Sequence, residues 1–206
     1  GMQDSGSLMV GPNPFDAYGN AEGRARDSEY VAAAVAQALR ESGASAEDAV
    51  ILVGYSQGGI HAVNTGARLT ESGEFSVAMV LTAGAPAGDR ITPDGLRVVH
   101  LEHYQDWVPG ADGTLNPDTA DRITVTGRTP VPPDAVRDGL GPAHDLDLYL
   151  DLANQADAGK DRSLQETAGY LGQILPPASI AARRLFRFSR KPVSKPSRKP
   201  AAELKS

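Results

Sequence analysis

Residues 49–60 read Ala49-Val50-Ile51-Leu52-Val53-Gly54-Tyr55-Ser56-Gln57-Gly58-Gly59-Ile60, and the order of residue types along this run decides the fold. Ala49 to Val53 is a continuous apolar run rich in β-branched residues, the pattern of a strand buried on both faces. Downstream, Ile60, Val63, Ala67 and Leu69 predict a helix over residues 57–71, closed by Gly73. Between strand and helix lies Gly54-x-Ser56-x-Gly58. A strand that turns sharply into a helix strains its turn residue, and glycines two before and two after keep the crossing backbones apart. The hydroxyl of Ser56 would then stand at the carboxyl end of the sheet, with the backbone N–H of Gln57 opening the helix beside it.

Outward from this turn, strand and helix patterns alternate. Upstream, Leu8-Met9-Val10 is a short strand candidate, and the Gly-, Pro- and Asn-rich residues 11–27 read as a long loop. Ser28 is placed to N-cap a helix that carries Val31, Ala34, Val35, Ala38 and Leu39 on one stripe and stops at Gly43. Downstream, strands are predicted at 77–82, 96–103 and, more weakly, 122–126; helices follow from His144 through Ala153 and over 162–175. Such alternation argues for an α/β fold with a mostly parallel sheet covered by helices.

A serine hydroxyl is a weak nucleophile until a base removes its proton and a third group orients that base. On a strand–turn–helix nucleophile the chain order is serine, then acid, then histidine. His61 lies on the helix just after the serine, too near along the chain to turn back. His100 and His103 fall within a strand, and their spacing points them to opposite faces. His144 follows the last strand candidate in a loop opening onto a helix, where the base belongs. Asp106 ends the second strand beyond the serine and is the expected acid, with Asp89 its rival. Asp112 and Asp118 read as solvated turn residues.

Composition narrows the chemistry. The 206 residues fit one domain, residues 1–180, followed by a Lys/Pro-rich extension, 181–206, that reads as a flexible tail. That tail has nine Lys or Arg against Glu203 alone, leaving eleven basic and 25 acidic side chains in the body, so an acidic domain carries a basic tail. Absence of cysteine excludes thiolate nucleophiles, disulfides and zinc–thiolate sites, and four histidines leave little for a metal. No metal or cofactor is expected. No apolar run approaches a membrane span and no secretion signal is present, so a cytoplasmic location is the default, with secretion open should a longer gene start supply a leader. Gly1 before Met2 reads as a cleavage remnant. The tail, through Arg183, Arg184 and Arg187 among Leu185, Phe186 and Phe188, could meet an anionic membrane; nucleic acid is not an expected partner.

Taken together, these motifs resemble one family. Gly54-Tyr55-Ser56-Gln57-Gly58-Gly59 resembles the nucleophile elbow of cutinases and related serine esterases. The strand into Ala83-Gly84-Ala85-Pro86 is similar to the Gly-x-Pro segment of cutinases and fungal-type lipases. Gln105-Asp106-Trp107-Val108-Pro109 is similar to their acid-bearing segment, and His144 with Tyr149 resembles their C-terminal histidine and aromatic. Spanning about residues 28–155, the resemblance implies a three-layer α/β-hydrolase sandwich, its sheet shortened at the N-terminal side. It further implies Ser56 as nucleophile, Asp106 as acid, His144 as base and a small-molecule or lipid ester as substrate. The first oxyanion donor would be the N–H of Gln57. The second comes from an early loop in such folds; here Asn13 or Phe15 could supply it, because Pro12 and Pro14 have no N–H. An acyltransferase or peptidase would use the same triad, and a hydrolase-fold interaction module with little turnover would keep the fold alone.

Overall fold

The computed structural model describes residues 17–25, 27–132, 140–177 and 181–189. Its elements run α1 (Ala17–Ala25), α2 (Glu29–Ser42), β1 (Ala49–Tyr55), α3 (Gln57–Ser72), β2 (Ser76–Ala83), β3 (Val98–His103), β4 (Arg122–Gly127), α4 (Leu146–Asp157) and α5 (Arg162–Ile174). Short 3₁₀ turns occupy Val108–Gly110 and Pro142–His144. The four strands form one sheet in the order β1-β2-β3-β4, every pair parallel. The chain is therefore α/β with a parallel sheet. The strand candidate at 8–10 lies outside the described residues.

Parallel strands need crossovers, and α3 supplies the first, packing on β1 and β2. Its Ala62, Val63 and Ala67 meet Val80 and Val98 from the sheet, with Ala87 and Leu96 from the connection between β2 and β3. A second cluster joins Ala36 of α2 to Val50, Leu69 and Phe75. Burying each valine, leucine or phenylalanine here contributes about 1.5–3 kcal/mol. α4 packs on β3.

Three expectations change. Residues 17–25 form α1 rather than a loop. Gly19, Asn20 and Gly23 disfavour a helix locally, yet Gly23 is buried and lets α1 approach α3: a Cβ there would lie 3.2 Å from His61 Cε1 and Ile60 Cγ2. Ser28 precedes α2, but its side chain makes no capping bond; with φ 56° and ψ 35° it turns into the interior instead. Finally, β1 is not buried on both faces. It pairs with β2 alone among the described residues, and Val53 is 72% exposed. Residues 181–189 have no regular secondary structure, and Arg184 donates to the carbonyl of Glu41 on α2.

The ladder continues past the strand ends. Ser56 N–H donates to Ala83 O at 2.8 Å, Gly84 N–H to Leu101 O at 3.0 Å, and Tyr104 N–H to Gly127 O at 2.9 Å. The loops that follow the strands therefore leave from one rim of the sheet, where α/β proteins gather their polar groups.

Candidate active site

Ser56 stands between β1 and α3 with φ 55° and ψ −128°, a conformation costly for any residue with a Cβ. The surrounding glycines show why the turn can close. A Cβ on Gly54 would lie 2.2 Å from the carbonyl oxygen of Gly58, so only glycine fits there. Gly58 itself has open space where its Cβ would sit, contrary to the symmetric role expected of it. The second close approach falls one residue later: a Cβ on Gly59 would lie 2.3 Å from Ala85 Cβ.

His144 ends the 3₁₀ turn Pro142–His144, just before α4, which Asp145 caps by accepting from Asp147 N–H at 2.8 Å. Its Nε2 lies 2.8 Å from Ser56 Oγ, and its Nδ1 lies 2.7 Å from Asp106 Oδ2. Because a carboxylate accepts, Nδ1 carries the proton, which leaves Nε2 free to accept from the serine hydroxyl. Ser56 is 5% exposed, and the side chains of His144 and Asp106 are buried. Asp106 leaves β3 through a turn in which its N–H donates to His103 O; its Oδ1 accepts from Val108 N–H at 3.0 Å.

Two tyrosines complete the enclosure. Tyr55 stacks on the His144 ring at 5.1 Å and its hydroxyl donates to the His144 carbonyl. Tyr149 meets the same ring edge-on at 6.4 Å, and its hydroxyl donates to Asp106 Oδ2 at 2.6 Å. Burial, and then the bond to Asp106, hold the Tyr149 phenol well above its ordinary pKa, so it stays a donor. Gly84, at φ +57°, leaves room for both rings: a Cβ there would lie 3.0 Å from His144 Cε1 and from Tyr149. Sequence alone marked Tyr149 only as an aromatic near the histidine and gave Tyr55 no role. What could have been seen is that Tyr149 follows His144 by only five residues, on the helix that begins just after it.

The alternatives fall elsewhere. His61 is buried, its Nδ1 lying 2.8 Å from Ser28 Oγ. His100 contacts Thr82 and Arg122, while His103 contacts Gln105 and Thr129. Asp89 pairs with Arg90 at 2.8 Å and Arg24 at 3.4 Å; the Arg90 bond above all holds its carboxyl below the usual range. Asp112 accepts from Gly88 N–H and Thr114 N–H, and Asp118 from Thr124 N–H.

Glu102 on β3 is half-buried, and burial first, with Asp106 and Asp112 adding, raises its pKa against the opposing bond from Asn116. Gln57 is the first residue of α3, so its N–H stands in the first turn of that helix, next to Ser56. Asn13, the expected second donor, lies outside the described residues. No metal-binding group of three or more His, Asp or Glu side chains occurs among the described residues, and no helix among them is long and apolar enough to cross a membrane.

The geometry can therefore move a proton from a serine hydroxyl to an imidazole backed by a buried carboxylate. No family model, curated protein or solved structure matches this chain.

Proposed function

We propose that this chain is a serine hydrolase of the carboxylesterase or lipase type, built on an α/β-hydrolase sandwich with a shortened sheet. One observation carries the reading: Ser56 Oγ sits 2.8 Å from His144 Nε2 while Asp106 holds the opposite ring nitrogen at 2.7 Å, on a strained strand-to-helix turn. The order Ser56, Asp106, His144 along the chain supports it further.

In this scheme Ser56 Oγ attacks the ester carbonyl as His144 Nε2 takes its proton, and Asp106 stabilises the imidazolium. The negative charge on the former carbonyl oxygen is met by the N–H of Gln57 and the N-terminal end of α3. Collapse breaks the ester C–O bond, and His144 returns the proton to the departing alcohol. An acyl-Ser56 remains. Water then attacks it, losing a proton to His144, and the acid is released with the serine restored. A single oxyanion donor is worth on the order of 10²–10³ in rate, so a second donor would strongly affect turnover.

A fluorophosphonate probe tests the reading on the full chain. Labelling that Ser56→Ala abolishes supports it, and a folded wild-type chain that is not labelled overturns it. Comparing short and long nitrophenyl esters, with and without added alcohol or amine acceptors, separates esterase from lipase, acyltransferase and peptidase.

A second reading, a hydrolase-fold interaction module with little turnover, is favoured by the exposure of Val53 on β1, which pairs with β2 alone among the described residues. The same probe distinguishes it.

A further inference from the structure

We infer that Tyr149 is a positioning residue for the acid: its hydroxyl holds the Asp106 carboxylate against His144 and tunes the pH at which the base works. This builds on the proposed triad of Ser56, His144 and Asp106, and adds a fourth group that touches no substrate.

Elimination fixes the direction of the bond. The Tyr149 oxygen lies 3.2 Å from the backbone N–H of His103, which can only donate to it. The single phenolic hydrogen therefore goes to Asp106 Oδ2, 2.6 Å away. That oxygen also accepts from His144 Nδ1–H, and Oδ1 accepts from Val108 N–H. Three protein donors thus converge on a carboxylate whose side chain is fully buried. A buried carboxylate depends on such donors, and a bond to a charged acceptor is roughly twice as strong as one between neutral groups.

Placement makes the contact specific to the base. Tyr149 N–H donates to Asp145 O, the residue after His144, so the first turn of α4 ties the phenol to the chain next to the base. A shift of α4 would move His144 and the anchor of Asp106 together. The other titratable groups around the pair are Glu102 and His103 from β3, Asp112 from the loop beyond it, Tyr55 at the end of β1 and Asp145 at the cap of α4. Among these, Tyr149 is the one whose hydroxyl shares Oδ2 with the imidazole.

Sharing that oxygen has a predictable sign. The phenol draws negative charge away from the imidazole, so it lowers the support that Asp106 gives to an imidazolium. Without it the imidazolium gains, and a higher pH is needed to free the base. Removing one orienting bond should also slow the chemical step while leaving substrate binding alone.

The test follows the rate of fluorophosphonate labelling, and kcat and KM for nitrophenyl acetate, against pH on the full chain. In Tyr149→Phe the acidic limb should move up by about half to one pH unit, kcat should fall about tenfold, and KM should stay unchanged. A fluorinated tyrosine installed at position 149 keeps the shape and strengthens the donor, so its limb should move down instead. This second variant decides the matter if the phenylalanine chain does not fold. Ser28→Ala controls for lost stability and should leave the limb in place. Limbs within about 0.2 unit of wild type would overturn the role of Tyr149 while leaving the triad standing. Absence of labelling in the wild-type chain would overturn the triad itself.

Discussion

Two serines in this molecule look alike locally. Ser28 precedes α2 and Ser56 precedes α3; their φ values are 56° and 55°, and each hydroxyl lies 2.8 Å from a histidine nitrogen. What separates them is everything one bond further out. Ser28 Oγ also accepts from Asn64 Nδ2 at 2.9 Å, and that amide donates again to Gly23 O at 2.7 Å. The cluster ties α1, α2 and α3 together and is wholly internal. Beside Ser28 the further partner is the Asn64 amide, whereas behind His144 stands the Asp106 carboxylate, which offsets the positive charge a base gains. Ser56, by contrast, lies at the rim where the strands end, beside the N-terminus of α3. A serine–histidine hydrogen bond is therefore not a site by itself; the acid behind it and the rim beneath it make the difference.

The sharpest way to break the contrast is to delete each hydroxyl. Ser56→Ala should abolish probe labelling and lower ester turnover by on the order of 10⁶-fold, with the thermal midpoint near wild type. Ser28→Ala should label as wild type does. Loss of labelling in the Ser28 variant, with its fold intact, would contradict the assignment of the two serines. Next in size is Asp106→Asn, which makes the acid resemble the amide near His61. It keeps the shape but removes the charge and favours the wrong imidazole tautomer, so kcat should fall about 10⁴-fold. A chain that retained turnover within tenfold would mean that Asp106 is not the acid.

Why one cluster was legible in the sequence and the other was not follows from the same contrast. Ser56 lies in a pattern set by backbone geometry: a buried apolar strand, a turn that only glycine can permit at position 54, and a helical stripe. Asp106 and His144 follow from chain order along a parallel sheet, because successive strands bring their following loops to one rim. Ser28 was legible only as a position before a helix; that its hydroxyl turns inward to His61 depends on α1, whose glycines hide a helix that tertiary packing enforces. Tyr55 and Tyr149 act through contacts across separate elements, and no local period encodes those. The run Ala49–Val53 describes a strand with both faces covered, but among the described residues β1 has a neighbour on one side alone and Val53 is exposed.

Ser28 matters for stability. Ser28→Ala strips a buried partner from Asn64 and His61, which should cost about 1–3 kcal/mol and lower the thermal midpoint by several degrees. A midpoint within one degree of wild type, about 0.5 kcal/mol or less, would show that the cluster does not hold the helices together.

A third buried histidine sharpens the contrast further, since His100 faces a cation where His144 faces a carboxylate. Arg122 can only donate, so His100 Nε2 accepts from it at 3.2 Å and Nδ1–H donates to Thr82 Oγ1 at 2.8 Å. Burial first, and then the Arg122 charge, pull the His100 pKa down to about 3. The unfolded chain binds a proton there near pH 6.5, whereas the folded chain resists until about pH 3. Stability from this group is therefore complete above about pH 6.5 and is lost as the pH falls towards 3. By pH 4.5 the loss amounts to about 2–3 kcal/mol; at neutral pH it is nil, which makes this the smallest effect under ordinary conditions. Arg122 also donates to Arg90 O and Ala87 O, so protonating His100 would loosen the segment that runs on from Gly84 at the His144 ring. Replacing His100 with Gln should flatten the stability profile between pH 6.5 and 4.5 when measured by urea unfolding, whatever it does to stability at pH 7. Parallel profiles for the two chains would show that His100 titrates normally and that Arg122 does not suppress its charge.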